Sequence, residues 1–302
     1  VYNSLQDCLN DLEKHKHLVR IKEEVDPNLE MAAIQLRVYE QGGPALLFER
    51  VRGTKYRAAS NIFGSIERSR FIFRNSFSKV QQLIALKNNP IQAFKKPIQH
   101  LHLGIASLNA LPKKNPSSKP VMDSLIQIED LPLIKHWPND GGAFITLPQV
   151  YSEDISKPGI MNANLGMYRI QLNGNEYILN EEVGLHYQIH RGIGIHQHKA
   201  NQKGQALKVS IFVGGPPAHT LAAVMPLPEG MSELTFAGLL GARRFRYCYD
   251  TDGYMISTDA DFVICGEVYA EDTKPEGPFG DHLGYYSLTH DFPVLKVRKV
   301  FA

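Results

Sequence analysis

The chain has 302 residues, 43% hydrophobic and 21% charged, the balance of an ordinary globular protein and not of a disordered one. Its 33 Lys and Arg against 31 Asp and Glu leave a formal charge of +2, which argues against a nucleic-acid coat or a polybasic membrane binder. Three scattered cysteines (Cys8, Cys248, Cys265) without C-x-x-C spacing exclude a disulfide framework, a zinc ribbon and a thioredoxin-type motif.

Leu5, Leu9 and Leu12 recur at helical spacing, with Ser4 placed to cap and Asp7 in the first turn. They predict an amphipathic helix over 4–16, followed by a short strand at 18–21. Asp26 as cap and Pro27 at the first helical position predict a second helix, which Gly42-Gly43 ends. Ala45–Val51 reads as the next strand, so the first part is mixed α/β. From 90 to 120, proline and lysine crowd together as in an exposed connection. The expected division is therefore an α/β domain over 1–115 and a second domain over 116–302.

Apolar runs at 160–172, 206–213, 261–268 and 294–301 predict strands, with one helix over 232–240. The second domain is thus expected to be a β-rich barrel, and the whole chain α+β. No run of 18 apolar residues and no apolar leader is present. With the sparse cysteines, this predicts a reducing, cytoplasmic location. A first residue of Val and a final strand-like run without a tail predict a processed or truncated chain.

Four constellations carry candidate chemistry. Seven of the twelve histidines lie at or beyond position 186, so a ligand set is sought there. His186 and His190 are four apart, which joins them on one helical face; as a strand, His186, Gln188 and His190 would share a face. Surface or satisfied core histidines are the commoner outcome, and no H-E-x-x-H is present. Glu276 and Asp281 flank Gly277, Pro278 and Gly280, which forbid a regular helix between them. The turn this forces lets both carboxylates face one cavity, as paired acids with split pKa values do in proton transfer; a solvated turn is the bland alternative. Arg169 lies in an apolar run and needs a carboxylate or phosphate if buried, with Glu276, Asp281 or a substrate as candidates. Glu233 opens the helix over 232–240, where a carboxylate ordinarily serves the helix end.

These segments together resemble the UbiD family of prenylated-flavin-dependent decarboxylases. The matching blocks follow the family's order: Leu12–Asp26, Gly43–Glu49, Trp137–Pro148, Asn164–Arg169, His186 with His190-Arg-Gly192, Pro228–Glu233 and Glu276–Asp281. A lone H-R-G or G-P-F-G is weak; the ordered set with both carboxylates and the arginine is strong.

The resemblance implies an α/β N-terminal domain, a split β-barrel flavin-binding domain, and a C-terminal dimerisation domain that this chain lacks. It implies a catalytic network of Arg169, Glu276 and Asp281. Cofactor contacts fall on Met167, Tyr168, Arg169, His186, Tyr187, Gln188, Arg191 and Gly192. The implied cofactors are prenylated FMN, Mn²⁺ (or Mg²⁺) and K⁺, with Asn164, His186 and Glu233 as metal ligands. Hard oxygen and nitrogen donors suit such a cation. The implied reaction is non-oxidative decarboxylation of an aromatic or α,β-unsaturated acid. Asp at 281 leans toward the quinone-biosynthesis branch, whose substrates are polyprenylated hydroxybenzoates. The implied partners are a small-molecule carboxylic acid, a flavin prenyltransferase that supplies the cofactor, a membrane surface if the substrate is polyprenylated, and further copies in a homo-oligomer. Two rivals are a non-catalytic flavin-binding paralogue and a metal hydrolase built on the His-rich stretch.

Overall fold

Ser4 starts the first helix as its sequence position predicts. Its hydroxyl accepts the Asp7 amide at 3.1 Å, satisfying one of the amides that a helix start leaves unpaired. In this computed structural model, which describes residues 1–88, 104, 106–115, 120–188, 192–227 and 231–302, α1 (Leu5–Lys14) buries Cys8, Leu9 and Leu12. It is followed by β1 (Leu18–Val25), α2 (Glu30–Glu40), β2 (Ala45–Val51), β3 (Ala58–Ser60), α3 (Ile66–Ile72) and α4 (Phe77–Asn88). β1 and β2 are parallel, which requires a crossover that α2 supplies. The second helix begins later than an Asp26 cap predicts. Asp26 Oδ1 instead accepts the Asn28 amide at 2.7 Å, an Asx turn that places Pro27 outside the helix, and Leu29 is the N-cap.

The proline- and lysine-rich connection over 90–120 lies largely outside the described residues, as does position 116 of the expected boundary. Where it is described it is not a bare linker: β4 (Lys113–Lys114) pairs with a strand of the second domain. The second domain continues with β5 (Leu125–Ile126), β6 (Phe144–Ile145), β7 (Gln149–Ser152), β8 (Asn164–Gly166), β9 (Ile170–Gln171), β10 (Glu182–Leu185) and α5 (Gly192–Gln202). Then come β11 (Leu207–Val213), α6 (Pro217–Val224), α7 (Glu233–Leu240), β12 (Arg246–Tyr249), β13 (Met255–Ser257), β14 (Phe262–Glu276), β15 (Phe279–Gly280), β16 (Tyr286–Ser287) and β17 (His290–Phe301).

The main sheet runs β6-β9-β10-β17-β14-β11-β7-β8, with β5 added to β17. This order forces the sheet to curl. β9 and β8 are six positions apart, roughly 29 Å if the sheet were flat. Yet only Met167, Tyr168 and Arg169 join them, a reach of about 14 Å at most. The link from β6 to β7 makes the same short crossing. The two ends of the sheet are therefore drawn together into a split barrel, and Met167–Arg169 bridges its seam. For the same reason the apolar run over 160–172 is not one strand: it is a 3₁₀ turn, β8, the seam and β9.

One face of the sheet buries Val150, Ile170, Val183, Leu185, Val209, Ile211, Ile264 and Leu295. The other contributes Phe212, Val263 and Cys265 to a second core cluster, which also holds residues of α6, α7 and, in the first domain, α1. Val263, Ile264 and Cys265 alternate faces as strand geometry requires. The three cysteines are buried and none forms a disulfide. Among the described residues no helix is long and apolar enough to cross a membrane.

Candidate active site

The barrel seam delivers Arg169 to Glu276 at the end of β14. Arg169 Nε donates to Glu276 Oε1 at 2.8 Å and Nη2 to Oε2 at 2.7 Å, a bidentate fork. Glu276 is 0% exposed. The third member is His186, just after β10. Its Nδ1 lies 3.1 Å from Glu276 Oε2, and its backbone amide donates to the Arg169 carbonyl. Burial alone would raise the Glu276 carboxyl, but the hydrogen bonds from His186 and Arg169 outweigh it and hold it below the usual carboxylate range. Two aromatic rings clamp the network: Phe279 lies under the Arg169 guanidinium at 4.5 Å, and Phe292 stacks on the His186 imidazole at 3.9 Å.

Asp281 is not brought into this network. It sits at the tip of the β15–β16 hairpin, closing a turn with the Tyr285 carbonyl and the Gly284 amide, and its carboxylate pairs with His282. The forced turn between the two acids is present, but it buries Glu276 and leaves Asp281 partly open.

At the other end of the seam, β8 meets α5 and α7. The Asn164 carboxamide packs on Gly192, where a Cβ would fall 2.1 Å from Asn164 Oδ1. Tyr168 folds back over Gly166, again with room only for glycine, and its hydroxyl accepts from Asn164 Nδ2 at 3.5 Å. The Tyr187 hydroxyl, close to Tyr168, donates to Gln197 on α5. Ser232, not Glu233, caps α7. The Glu233 carboxylate turns instead to the Leu165 amide, at 3.4 Å, and burial pushes its pKa up.

Asn164 and Glu233 therefore converge on the same stretch of β8. His186 points to Glu276, and no cluster of three His, Cys, Asp or Glu side chains occurs among the described residues. A divalent cation fits the Asn164–Glu233 end by donor chemistry. Both supply hard oxygens, and Glu233 is a substantially buried carboxylate with no cationic partner among the described residues. Met167 donates its amide to Ala223 of α6, and Gln188 is exposed. Arg191 and His190 lie outside the described residues, so the expected helical or strand pairing of His186 with His190 does too. His186 itself follows a strand and precedes α5.

Residue spacing did not reveal the side chains that shape the turn. Gln171 Oε1 accepts the Gly277 amide at 2.8 Å, and Asn175 Nδ2 donates to the Pro275 and Gly277 carbonyls. Their only sequence signal is a polar residue beside an apolar strand.

Comparison with known proteins places this geometry. Residues 111–302 match the 3-octaprenyl-4-hydroxybenzoate carboxy-lyase Rift-related domain, and residues 9–87 match the corresponding N-terminal domain. The chain is 41% identical to a 4-hydroxybenzoate decarboxylase subunit from Chlamydia pneumoniae, over 95% of this chain and 48% of that one. It superimposes on the Sedimentibacter hydroxybenzoicus vanillic acid decarboxylase with a TM-score of 0.82 at 25% identity, covering 100% of this chain and 62% of the other. An evolved dimeric form of the UbiD-class enzyme HmfF from Pelotomaculum thermopropionicum, in complex with prFMN, gives 0.80 at 25% identity, with 99% and 65% covered. The chain spans about half the length of the relatives it matches.

Proposed function

This chain belongs to the UbiD family of decarboxylases, and on that premise we propose that it is the catalytic part of an enzyme that removes CO₂ from an aromatic or α,β-unsaturated carboxylic acid. The observation that carries the reading is the buried Arg169–Glu276–His186 network at the barrel seam. Glu276 occupies the Nε edge of the guanidinium, which leaves Nη1 free to donate to a substrate carboxylate. Phe279 and Glu276 fix the plane of that fork, so the substrate is oriented without reorganisation. Prenylated FMN, when bound, supplies the electron sink that lets CO₂ leave. Met167, Tyr168, Arg169, His186, Tyr187, Gln188, Arg191 and Gly192 are the residues proposed to hold it. Asn164, His186 and Glu233 are proposed to hold Mn²⁺ or Mg²⁺, with K⁺ beside the phosphate.

Asp281 is the proposed proton donor to the carbon that CO₂ leaves. It lies on the turn that starts at Glu276, and the Arg169 cation does not pair with it. Among substrates, a hydroxybenzoate is favoured. The names of two relatives point to simple hydroxybenzoates, whereas Asp281 leans toward a polyprenylated one in quinone biosynthesis. A polyprenyl tail would bring the enzyme to a membrane surface, a flavin prenyltransferase would supply the cofactor, and the whole protein would be a homo-oligomer.

The test is CO₂ release by the full-length protein, produced together with a flavin prenyltransferase, on 4-hydroxybenzoate, vanillate and a 3-prenylated 4-hydroxybenzoate. Turnover of one of them, abolished by Arg169→Ala, is expected. A flavin- and manganese-loaded protein that releases no CO₂ from the panel would favour the non-catalytic paralogue.

A further inference from the structure

The loop over 137–142 belongs to one of the sequence blocks singled out above, and nothing in the proposed chemistry uses it. It nevertheless holds a buried acid. Asp140 is 4% exposed and has no salt-bridge partner among the described residues. Its carboxylate is committed to backbone amides: Oδ2 accepts from His136 at 3.2 Å and Trp137 at 2.8 Å, and Oδ1 accepts from Gly280 at 2.7 Å. The first two bonds are local and would shape the loop by themselves. The third spans the chain and ends on the residue before Asp281.

Everything around that bond presses the loop onto the turn. The Gly141 amide donates to the Pro278 carbonyl at 2.8 Å. A Cβ on Gly141 would lie 2.2 Å from the Gly277 carbonyl oxygen, and one on Gly280 would lie 2.1 Å from the Trp137 indole. The same indole meets Tyr286 edge-on at 5.1 Å, and the Tyr286 hydroxyl accepts the Asn139 amide at 3.0 Å. The loop thus grips both strands of the β15–β16 hairpin whose tip carries Asp281.

We propose that Asp140 is a positioning residue: by holding the Gly280 amide it sets where the Asp281 carboxylate stands relative to the Arg169–Glu276 pair. The catalytic consequence rests on the decarboxylase reading above; the positioning itself does not.

Asp140→Asn separates the two kinds of bond. An amide has one acceptor oxygen. If that oxygen keeps the two local amides, the –NH₂ faces the Gly280 N–H, donor against donor. Hydrogen exchange on this chain, resolved by residue, should then show the Gly280 and Asp281 amides exchanging at least 10-fold faster, with β14 and β17 unchanged. In the full-length holoenzyme kcat should fall about 100-fold, the scale of a catalytic group displaced by about 1 Å. KM and the flavin spectrum should stay near the parent's, while the melting temperature falls by several degrees, because a buried amide loses its acceptor. Gly280→Ala pushes the same turn away from Trp137 and should reproduce the pattern, which keeps the test open if Asp140→Asn fails to fold. Parent-like exchange at 280–281 in a folded variant, or a kcat within 2-fold of the parent's, overturns the proposal. A parent enzyme that decarboxylates nothing defeats the decarboxylase reading instead, while the exchange result still decides the positioning.

Discussion

Glu276 and Glu233 are both shielded carboxylates at the barrel seam, and their surroundings are opposite. Glu276 receives two bonds from Arg169 and one from His186, all within 3.1 Å, and its pKa is held down despite burial. Glu233 receives the Leu165 amide at 3.4 Å and its own backbone amide, and burial still pushes its pKa up. The Glu276 end is therefore complete within the chain. The Glu233 end has an acid beside Asn164 with no cationic partner among the described residues, and that is why a cation is proposed there.

The largest effect should come from breaking the complete end. Glu276→Ala leaves a mostly buried Arg169, 11% exposed, without its counter-charge, and breaking a buried pair costs about 3–5 kcal/mol. Urea unfolding should show this loss, together with loss of all turnover. Glu233→Ala should cost much less stability. Equal losses would erase the distinction between the two ends.

Next in size is Asp281→Asn in the full-length enzyme. Losing a positioned proton donor lowers the rate by roughly 10²–10⁴. Stability should barely move, because among the described residues the Asp281 carboxylate pairs only with His282 at the hairpin tip. Single-turnover measurements should still show one CO₂ released. Turnover at the parent rate would move the donor role elsewhere.

The pH dependence sharpens the contrast, because the two acids have opposite signs. Glu276 is lowered in the folded chain, so its stabilisation is fully present above the unfolded carboxyl value, about 4.3. It is lost as pH falls through the folded value. Glu233 is raised, so its ionisation penalises the fold, and stability declines as pH rises from the unfolded value through the folded one. Glu276→Gln should flatten the acid limb of a stability–pH curve, and Glu233→Gln should remove a decline on its higher-pH side. A shared sign would mean that the two ends are electrostatically alike.

How much of this was legible in sequence follows from the range of each interaction. Ser4 and the α1 leucines act within four residues, so spacing alone located the helix. Arg169 announced itself as a charge in an apolar run, and the need for a carboxylate was readable; that the partner is Glu276 and not Asp281 was not, since it depends on which side of a Gly-Pro turn is buried. The strand expected over 160–172 failed because periodicity cannot see that the chain crosses a barrel seam at Met167–Arg169. Asp26 failed as a helix cap because its side chain had a nearer amide at Asn28. Gln171 and Asp140 act on amides more than a hundred residues away, and no local pattern encodes that.

The smallest effect tests the Glu233 end directly. Glu233→Gln keeps the side chain's volume, and its Oε1 can still accept the Leu165 amide that Glu233 now holds. What it removes is a negative charge that burial disfavours. At neutral pH the melting temperature of this chain should therefore rise, by less than about 3 °C, and the gain should fade in acid, where the parent is also neutral. Added Mn²⁺ should reverse the order. A cation bound only by the folded parent stabilises it in proportion to the logarithm of its concentration, whereas the amide variant, with a weaker neutral donor, should respond little. A lower melting temperature for Glu233→Gln without metal would mean that the charge already has a stabilising partner. An undiminished Mn²⁺ response in the variant would remove Glu233 from the ligand set and leave it a residue that ties α7 to β8.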